Sequence, residues 1–345
     1  MKDLYVKSLP LKDVILDLSK EFSCGIIEHC DEFILEIPKE FGNGFIRGIN
    51  FGKGLGVIEY NCSFKEDLQI HFSLSQVHPL KFIFCSEGSM KHCFEELEQA
   101  NTIETYQNVL VASSDFNGHI LHFEANIKVH INSLEINRQE FANYYHCSLS
   151  KFDHPLKPLL QDVDAKKLFY YQGNYSLQTA DIISEMNTDL FSDFLRALKL
   201  ESQALNMLCV QIDQYADDLK ISKNQSVIRK QEIDKIVDIT QRITDDLSVT
   251  YTVQELADKI GMNINKLQEG FKYLYKDTVN NYIQALRLEK AKDLLLNTDL
   301  SIGAITERIG LTNPSYFSKV FKEKYKITPN QYRKGIINPE KQNNS

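Results

Sequence analysis

Residues 253–282 of the 345-residue chain recur as residues 302–332. Val253, Leu256, Ala257, Ile260 and Gly261 align with Ile302, Ile305, Thr306, Ile309 and Gly310 at an offset of 49. Leu267, Phe271, Tyr275 and Tyr282 then align with Phe317, Phe321, Tyr325 and Tyr332 at an offset of 50. One residue has therefore been inserted just after the second glycine. A period near fifty that occurs twice describes a duplicated module, not a solenoid.

Each copy has the pattern of two helices joined by a tight turn. A short amphipathic run ends at Gly261 or Gly310, where glycine can take the left-handed conformation that stops a helix. A polar cap follows, Asn263 in the first copy and Thr312 or Asn313 in the second. Pro314 stands where a first helical turn lacks a use for its N–H. Leu267, Phe271 and Leu274, or Phe317, Val320 and Phe321, then form an inward stripe with a polar opposite face. Ala257 is small enough to let the first pair of helices approach closely. Between the copies, residues 279–296 have helical spacing and no Gly or Pro. At about 1.5 Å per residue that helix spans roughly 27 Å. Two recognition helices held that far apart suit successive major grooves, about 34 Å apart on one face of a duplex.

These residues carry a resemblance. Ala257 to Gly261, Leu267, Phe271, Tyr282, Arg287-Leu288, Ala291, Leu294-Leu295, Ile305, Gly310, Ser315-Tyr316-Phe317-Ser318, Phe321, Pro329 and Tyr332-Arg333 together resemble the DNA-binding domain of the AraC/XylS regulators, over 229–335. The resemblance implies that the start of each second helix enters the major groove. In the first unit that implicates Asn263, Asn265, Lys266, Gln268, Glu269 and Lys272. In the second it implicates Thr312, Asn313, Ser315, Tyr316, Ser318, Lys319 and Lys322. Asn and Gln can pair with adenine N6 and N7, and Lys can reach guanine O6 and N7. Thr312 and Asn313 suit phosphate at a helix N-terminus. The chain departs from the family at Thr306, where alanine is usual and a larger side chain implies a slightly splayed pair. It departs also at Leu311, where phenylalanine is usual, and at Lys276 and Lys326, where glycine is common.

Charge is divided along the chain. The net charge is −8 overall, but 226–335 carries +4 and 1–225 carries −12. Only the basic end is expected to meet phosphate. Residues 24–150 show alternating runs, as at 80–84 and 127–131, with six glycines between Gly42 and Gly56. They read as strands and hairpin turns of a sandwich or barrel. Gly52-Lys53-Gly54-Leu55-Gly56 lacks the Gly-Lys-Ser/Thr of a phosphate loop and reads as such a turn. From 155 to 220 the spacing becomes helical, and Leu198, Leu205, Ile212 and Leu219 recur every seven residues. That heptad fits either a dimer seam or a helix packed on its own domain. The expected architecture is α+β: a β-rich effector-sensing domain over 1–154, a helical linker or dimerisation segment over 155–220, and an all-α domain with two helix-turn-helix units over 229–335. Residues 220–228 are the linker candidate.

No stretch reaches the ~18 apolar residues of a membrane span, and no cleavable leader is legible, so a cytoplasmic address is expected. Seven scattered cysteines without a Cys-x-x-Cys pair favour reduced thiols. His119 and His122 point to opposite faces of a strand, and the His-x-His then Glu of a cupin metal centre is absent, so no metal or other cofactor is expected. An alkyl-transfer repair enzyme bearing this kind of DNA module needs four clustered thiolates, which Cys24, Cys30 and His29 do not supply. The reading that remains is a promoter-binding transcription regulator, not an enzyme. Residues 266–274 (Lys-Leu-Gln-Glu-Gly-Phe-Lys-Tyr-Leu) and 200–205 (Leu-Glu-Ser-Gln-Ala-Leu) resemble the siderophore-responsive branch of the family. That resemblance implies a ferric-siderophore-like effector. Duplex promoter DNA, a small-molecule effector, RNA polymerase if the chain activates, and a second copy through 190–219 are the expected partners.

Overall fold

The computed structural model describes residues 2–7, 11–73, 78–97, 100–114, 117–186, 193–220 and 230–337. The chain divides into two compact units, Met1–Ser222 and Lys223–Ser345. The proposed linker at 220–228 lies, beyond Lys220, outside the described residues, as do 190–192 of the proposed dimer segment.

The first unit contains two sheets, with strands numbered in chain order. The smaller runs β1 (Lys2–Val6), β6 (Leu68–Phe72), β11 (His119–Phe123), β8 (Ser89–Phe94), β9 (Asn101–Glu104). The larger runs β13 (Phe169–Tyr175), β10 (Gln107–Ala112), β7 (Leu80–Glu87), β12 (Val129–Ile136), β5 (Leu55–Phe64), β4 (Gly42–Gly52), β3 (Glu32–Glu36), β2 (Ile27–His29). All pairs are antiparallel except β1 with β6. Alternation places Ile70, Leu121 and Phe123 of one sheet against Ile58, Tyr60, Ile83 and Ile131 of the other in one core. Helix α1 (Leu11–Phe22) adds Ile15, Leu18 and Phe22 to it. The 52–56 turn is a hairpin, with Gly52, Lys53 and Gly54 all at positive φ. The strand expected at 127–131 begins at Val129.

The other face of the larger sheet packs under α2 (Arg138–Tyr144), α3 (His146–Lys151), α4 (Lys157–Leu160), α5 (Leu177–Met186) and α6 (Asp193–Lys220). The segment 155–220 is therefore not wholly helical: Phe169–Tyr175 is a strand paired with β10, because its aromatics supply sheet surface for α6. The buried stripe of α6 is Leu200, Ala204, Met207, Leu208, Gln211, Gln214 and Tyr215, and Gln211 Nε2 donates to Asn108 Oδ1 at 2.8 Å. The heptad lies to one side of this stripe. Leu205 and Ile212 are half-buried, while Leu198 and Leu219 are about half exposed, at 49% and 52%.

A chain of alternating charges crosses the larger sheet. Arg196 of α6 clasps Glu32 through Nε at 3.0 Å and Nη2 at 2.9 Å. Glu32 also accepts from Arg47 at 3.3 Å, Arg47 Nε donates to Glu59 at 2.8 Å, and Glu59 meets His130 Nε2 at 2.8 Å. Burial pushes the Glu59 carboxyl up, but its contacts with His130 and Arg47 outweigh that and hold it below the usual range.

Between the sheets, Lys81 pairs with Glu135, and the fully buried His92 and His119 stack with ring centroids 5.5 Å apart. Their ring nitrogens have no hydrogen-bond partner among the described residues. Burial, with Lys81 nearby, lowers His92 to about 3 and moves His119 well down. Such groups stay neutral in the fold while the unfolded chain takes up protons below about pH 6.5. Stability is therefore present above that pH and lost as the pH falls from about 6.5 towards 3. At pH 5 His92 alone costs about 2 kcal/mol relative to neutral pH. Denaturant titrations at pH 7.5 and pH 5 are expected to show this loss, and His92→Phe should reduce it.

The second unit is helical: α7 (Lys230–Asp245), α8 (Val253–Lys259), α9 (Ile264–Tyr275), α10 (Val279–Asn297), α11 (Ile302–Arg308), α12 (Pro314–Tyr325) and α13 (Pro329–Ile337). The repeat is visible in it. Pairs α8–α9 and α11–α12 are the two copies, and α10 joins them. Phe271, Tyr275 and Tyr282 cluster in the first copy as Phe321, Tyr325 and Tyr332 do in the second. No helix among the described residues is long and apolar enough to cross a membrane.

Candidate nucleic-acid interface

Each helix pair is set by local chemistry. Thr252 caps α8 in a reciprocal arrangement with Glu255, and Ser301 caps α11. Gly261 and Gly310 take φ of 62° and 74° and turn the chain towards the second helix. Asn263 Oδ1 accepts from Lys266 N at 2.8 Å. In the second copy Asn313, not Thr312, is the cap: its Oδ1 accepts from Ser315 N at 2.9 Å and Tyr316 N at 3.1 Å, with Pro314 in the first turn. Lys276 and Lys326 end α9 and α12 in the left-handed conformation, where a residue with a Cβ costs about 1–2 kcal/mol more than glycine. Thr306 is buried, and its hydroxyl donates to Ile302 O at 2.6 Å on its own helix, so the polar atom that threonine adds to alanine's Cβ is satisfied.

Arg287 of α10 organises the centre of the unit. Its Nε donates to Leu247 O at 3.3 Å and its Nη2 to Val249 O at 2.8 Å, which fastens the α7–α8 loop. Gly310 packs against the same carbonyl, Ser248 O and the guanidinium.

The residues expected to meet DNA sort into two sets. Asn265, Glu269 and Lys272 are exposed on α9, four and three residues apart. Ser315, Lys319 and Lys322 occupy the same positions on α12, fifty residues later, and are exposed. That spacing puts each trio on one helix face. Lys319 is 72% exposed, with Glu323 3.9 Å away. Five of the other expected residues are engaged within the unit. Lys266 is half-buried and paired with Glu232 of α7. Gln268 is half-buried, and its Oε1 accepts from Val279 N at 3.3 Å. The Tyr316 hydroxyl accepts from Gln284 Nε2 at 3.0 Å. Asn263 and Asn313 have their oxygens in caps, Thr312 is exposed beside Asn313, and Ser318 is half-buried. The start of α10 is also polar, with Asn280 and Asn281 exposed and Gln284 half-buried, and 278–288 contains no Asp or Glu. Among the described residues no three His, Cys, Asp or Glu side chains gather closely enough to hold a metal ion.

Two capped helix pairs, repeated and joined by one long helix, define the class: a tandem helix-turn-helix protein. The helix-turn-helix domain profile matches 256–335, and the profile of the regulatory protein PchR N-terminal domain matches 41–225, over half of the chain. The chain belongs to the AraC/XylS family of transcription regulators, with an N-terminal domain of the PchR type. It is 38% identical over 81 residues to the xylose operon regulatory protein of Escherichia coli (strain K12), covering 24% of this chain and 21% of that protein. It is 32% identical over 99 residues to the HTH-type transcriptional regulator CdhR of Pseudomonas aeruginosa, covering 29% and 30%. The chain thus spans between a fifth and a third of the length of these two relatives. Among solved structures, the C-terminal domain of the response regulator yesN from Fusobacterium nucleatum is 34% identical, with 29% of this chain and 95% of that chain covered and a TM-score of 0.27.

Proposed function

We propose that the chain is a cytoplasmic regulator that binds promoter DNA through α9 and α12 and is switched by a small molecule held in its N-terminal unit. The observation that carries this is the pair of equivalent exposed trios, Asn265, Glu269, Lys272 and Ser315, Lys319, Lys322, on two capped helices of a basic unit. Amide, hydroxyl and ammonium groups at those positions can read base edges. Lys266, Gln268 and Tyr316 act by holding the two helices in place. Glu269 discriminates against bases that offer no donor. The effector is a ferric siderophore or a molecule of that class, a reading supported by the PchR-type match over 41–225. A second copy docks along Leu198, Leu205, Ile212 and Leu219, and RNA polymerase is the partner if the chain activates.

Variants test the residue assignment. Lys319→Ala and Asn265→Ala should each weaken binding to a cognate duplex by about 1–3 kcal/mol and relax preference at different base positions. Lys266→Ala should alter thermal stability more than base preference. Lys319 and Asn265 variants that keep both wild-type affinity and wild-type discrimination between matched and mismatched duplexes remove the assignment. Titrating candidate ferric siderophores into the protein–duplex complex tests the effector: a shift in affinity supports it, and no shift across the panel leaves a regulator without that control.

A further inference from the structure

We propose that Glu232 of α7 holds the Lys266 ammonium away from DNA phosphate, so that one carboxylate restrains the grip of the first helix-turn-helix unit on any duplex. The inference rests on reading α9 as a base-contacting helix. Lys266 stands in the first turn of α9, beside the exposed Asn265 and three residues before the exposed Glu269. Phosphate oxygens gather at the first turn of a helix that enters a groove, and an ammonium there is a natural contact for them. In this fold that charge is already committed. Lys266 Nζ is paired with the Glu232 carboxylate, which is 17% exposed.

The second copy shows the same position without a charge. Helices α7 and α10 each precede one helix pair, and they are equivalent at an offset of 52. Ile236, Ile239 and Ile243 are buried where Leu288, Ala291 and Leu295 are, and Asp245 ends α7 where Asn297 ends α10. That offset sets Glu232 on Gln284, while the offset of 50 sets Lys266 on Tyr316. Gln284 Nε2 donates to the Tyr316 hydroxyl at 3.0 Å. One place on the preceding helix thus holds one place on the recognition helix in both copies. A neutral amide–phenol bond does this in the second copy, so the holding itself needs no ions. The ion pair of the first copy has a further consequence. A lysine ammonium rides on a flexible four-carbon stem and can pass from one anion to another. Glu232 competes for it against the phosphates of a bound duplex. Phosphates are the same in every sequence, so the restraint falls equally on cognate and unrelated DNA.

The test uses the full-length protein, with affinity measured across a salt series for a cognate duplex and for an unrelated duplex of equal length. Glu232→Gln should tighten both by the same factor, several-fold, and steepen the dependence of log affinity on log salt by about one. Adding Lys266→Met to that variant should cancel both changes, which a merely structural role for Glu232 does not predict. Glu232→Asp draws the carboxylate back by one methylene and should fall between wild type and Glu232→Gln; it decides the matter if the latter does not fold. Asp238→Asn removes the same charge from an exposed site on α7 and should have little effect. If Glu232→Gln tightens binding no more than Asp238→Asn, or keeps its gain after Lys266→Met, Glu232 does not restrain Lys266. A wild-type protein that prefers no sequence at all would instead defeat the base-reading role of α9. The Glu232 comparison on the unrelated duplex stays readable in that event.

Discussion

Glu59→Ala is expected to destabilise the N-terminal unit by about 3–5 kcal/mol, because it strands two buried partners at once. Glu59 is 1% exposed and stands between Arg47, itself buried, and His130. Taking it away leaves a guanidinium in a low-dielectric site with Glu32 as its remaining counter-charge, shared with Arg196. Glu59→Gln keeps the shape and one acceptor, so its loss should be smaller. For a unit of this size the alanine variant should lower one calorimetric transition of the full chain by about 10 °C. The transition of the helical unit should not move. An unchanged N-terminal transition would mean that the charge chain contributes nothing net, as happens for many exposed pairs. Acid should imitate the variant. Glu59 sits below the usual carboxylate range, so its contribution is present above that range and is lost as the pH falls through its folded value. This comes after the loss from His92 and His119, which begins near pH 6.5.

Gly310→Ala should be the most damaging single-methyl change in the helical unit, and Gly261→Ala should be mild. Both glycines have positive φ, so each alanine carries left-handed strain of about 1–2 kcal/mol. The difference lies in the surroundings. A Cβ on Gly310 would overlap the Leu247 carbonyl oxygen and come within 2.7 Å of Arg287 Nη2 and 2.9 Å of Ser248 O. Backbone and a pinned guanidinium cannot step aside cheaply, so the α7–α8 loop must move and several kcal/mol are lost. On Gly261 the same Cβ meets only the flexible end of Lys235, 3.9 Å away. Thermal unfolding of the two variants should therefore separate clearly. Equal losses would show that the loop accommodates the methyl and that Arg287 is not the fixed point described above.

The helical third was legible because its determinants are local and occur twice. Gly261 and Gly310, Asn263 and Asn313, and the matched aromatics specify caps, turns and inward stripes within a dozen residues of one another. The choice between Thr312 and Asn313 was left open by the sequence, since both can cap; the fold selects Asn313, whose amide oxygen reaches two N–H groups. The roles of Lys266 and Gln268 were not legible. Their partners, Glu232 and Val279, lie 34 and 11 residues away, and a lysine on a polar face gives no sign of being paired.

In the first unit alternation exposed the strands but not their partners. The chain of Arg196, Glu32, Arg47, Glu59 and His130 joins residues up to 164 positions apart, and in sequence each is an ordinary surface charge. The strand Phe169–Tyr175 was hidden in a segment of helical spacing because three aromatics in a row fit either period. The heptad of α6 was read correctly as a repeat, but its residues flank the buried stripe, which Gln211 and Gln214 enter by pairing with Asn108.

Selection of bound duplexes from a random pool by the full-length protein, at near-physiological salt, tests the central claim most directly. Two helix-turn-helix units joined by α10 should enrich two short motifs about 10 base pairs apart. Asn265→Ala should blur one of them and Lys319→Ala the other. A single motif, blurred by both variants or by neither, would contradict a protein that reads DNA with two equivalent helices. Failure to enrich any sequence, with and without a ferric siderophore present, would contradict the regulator itself.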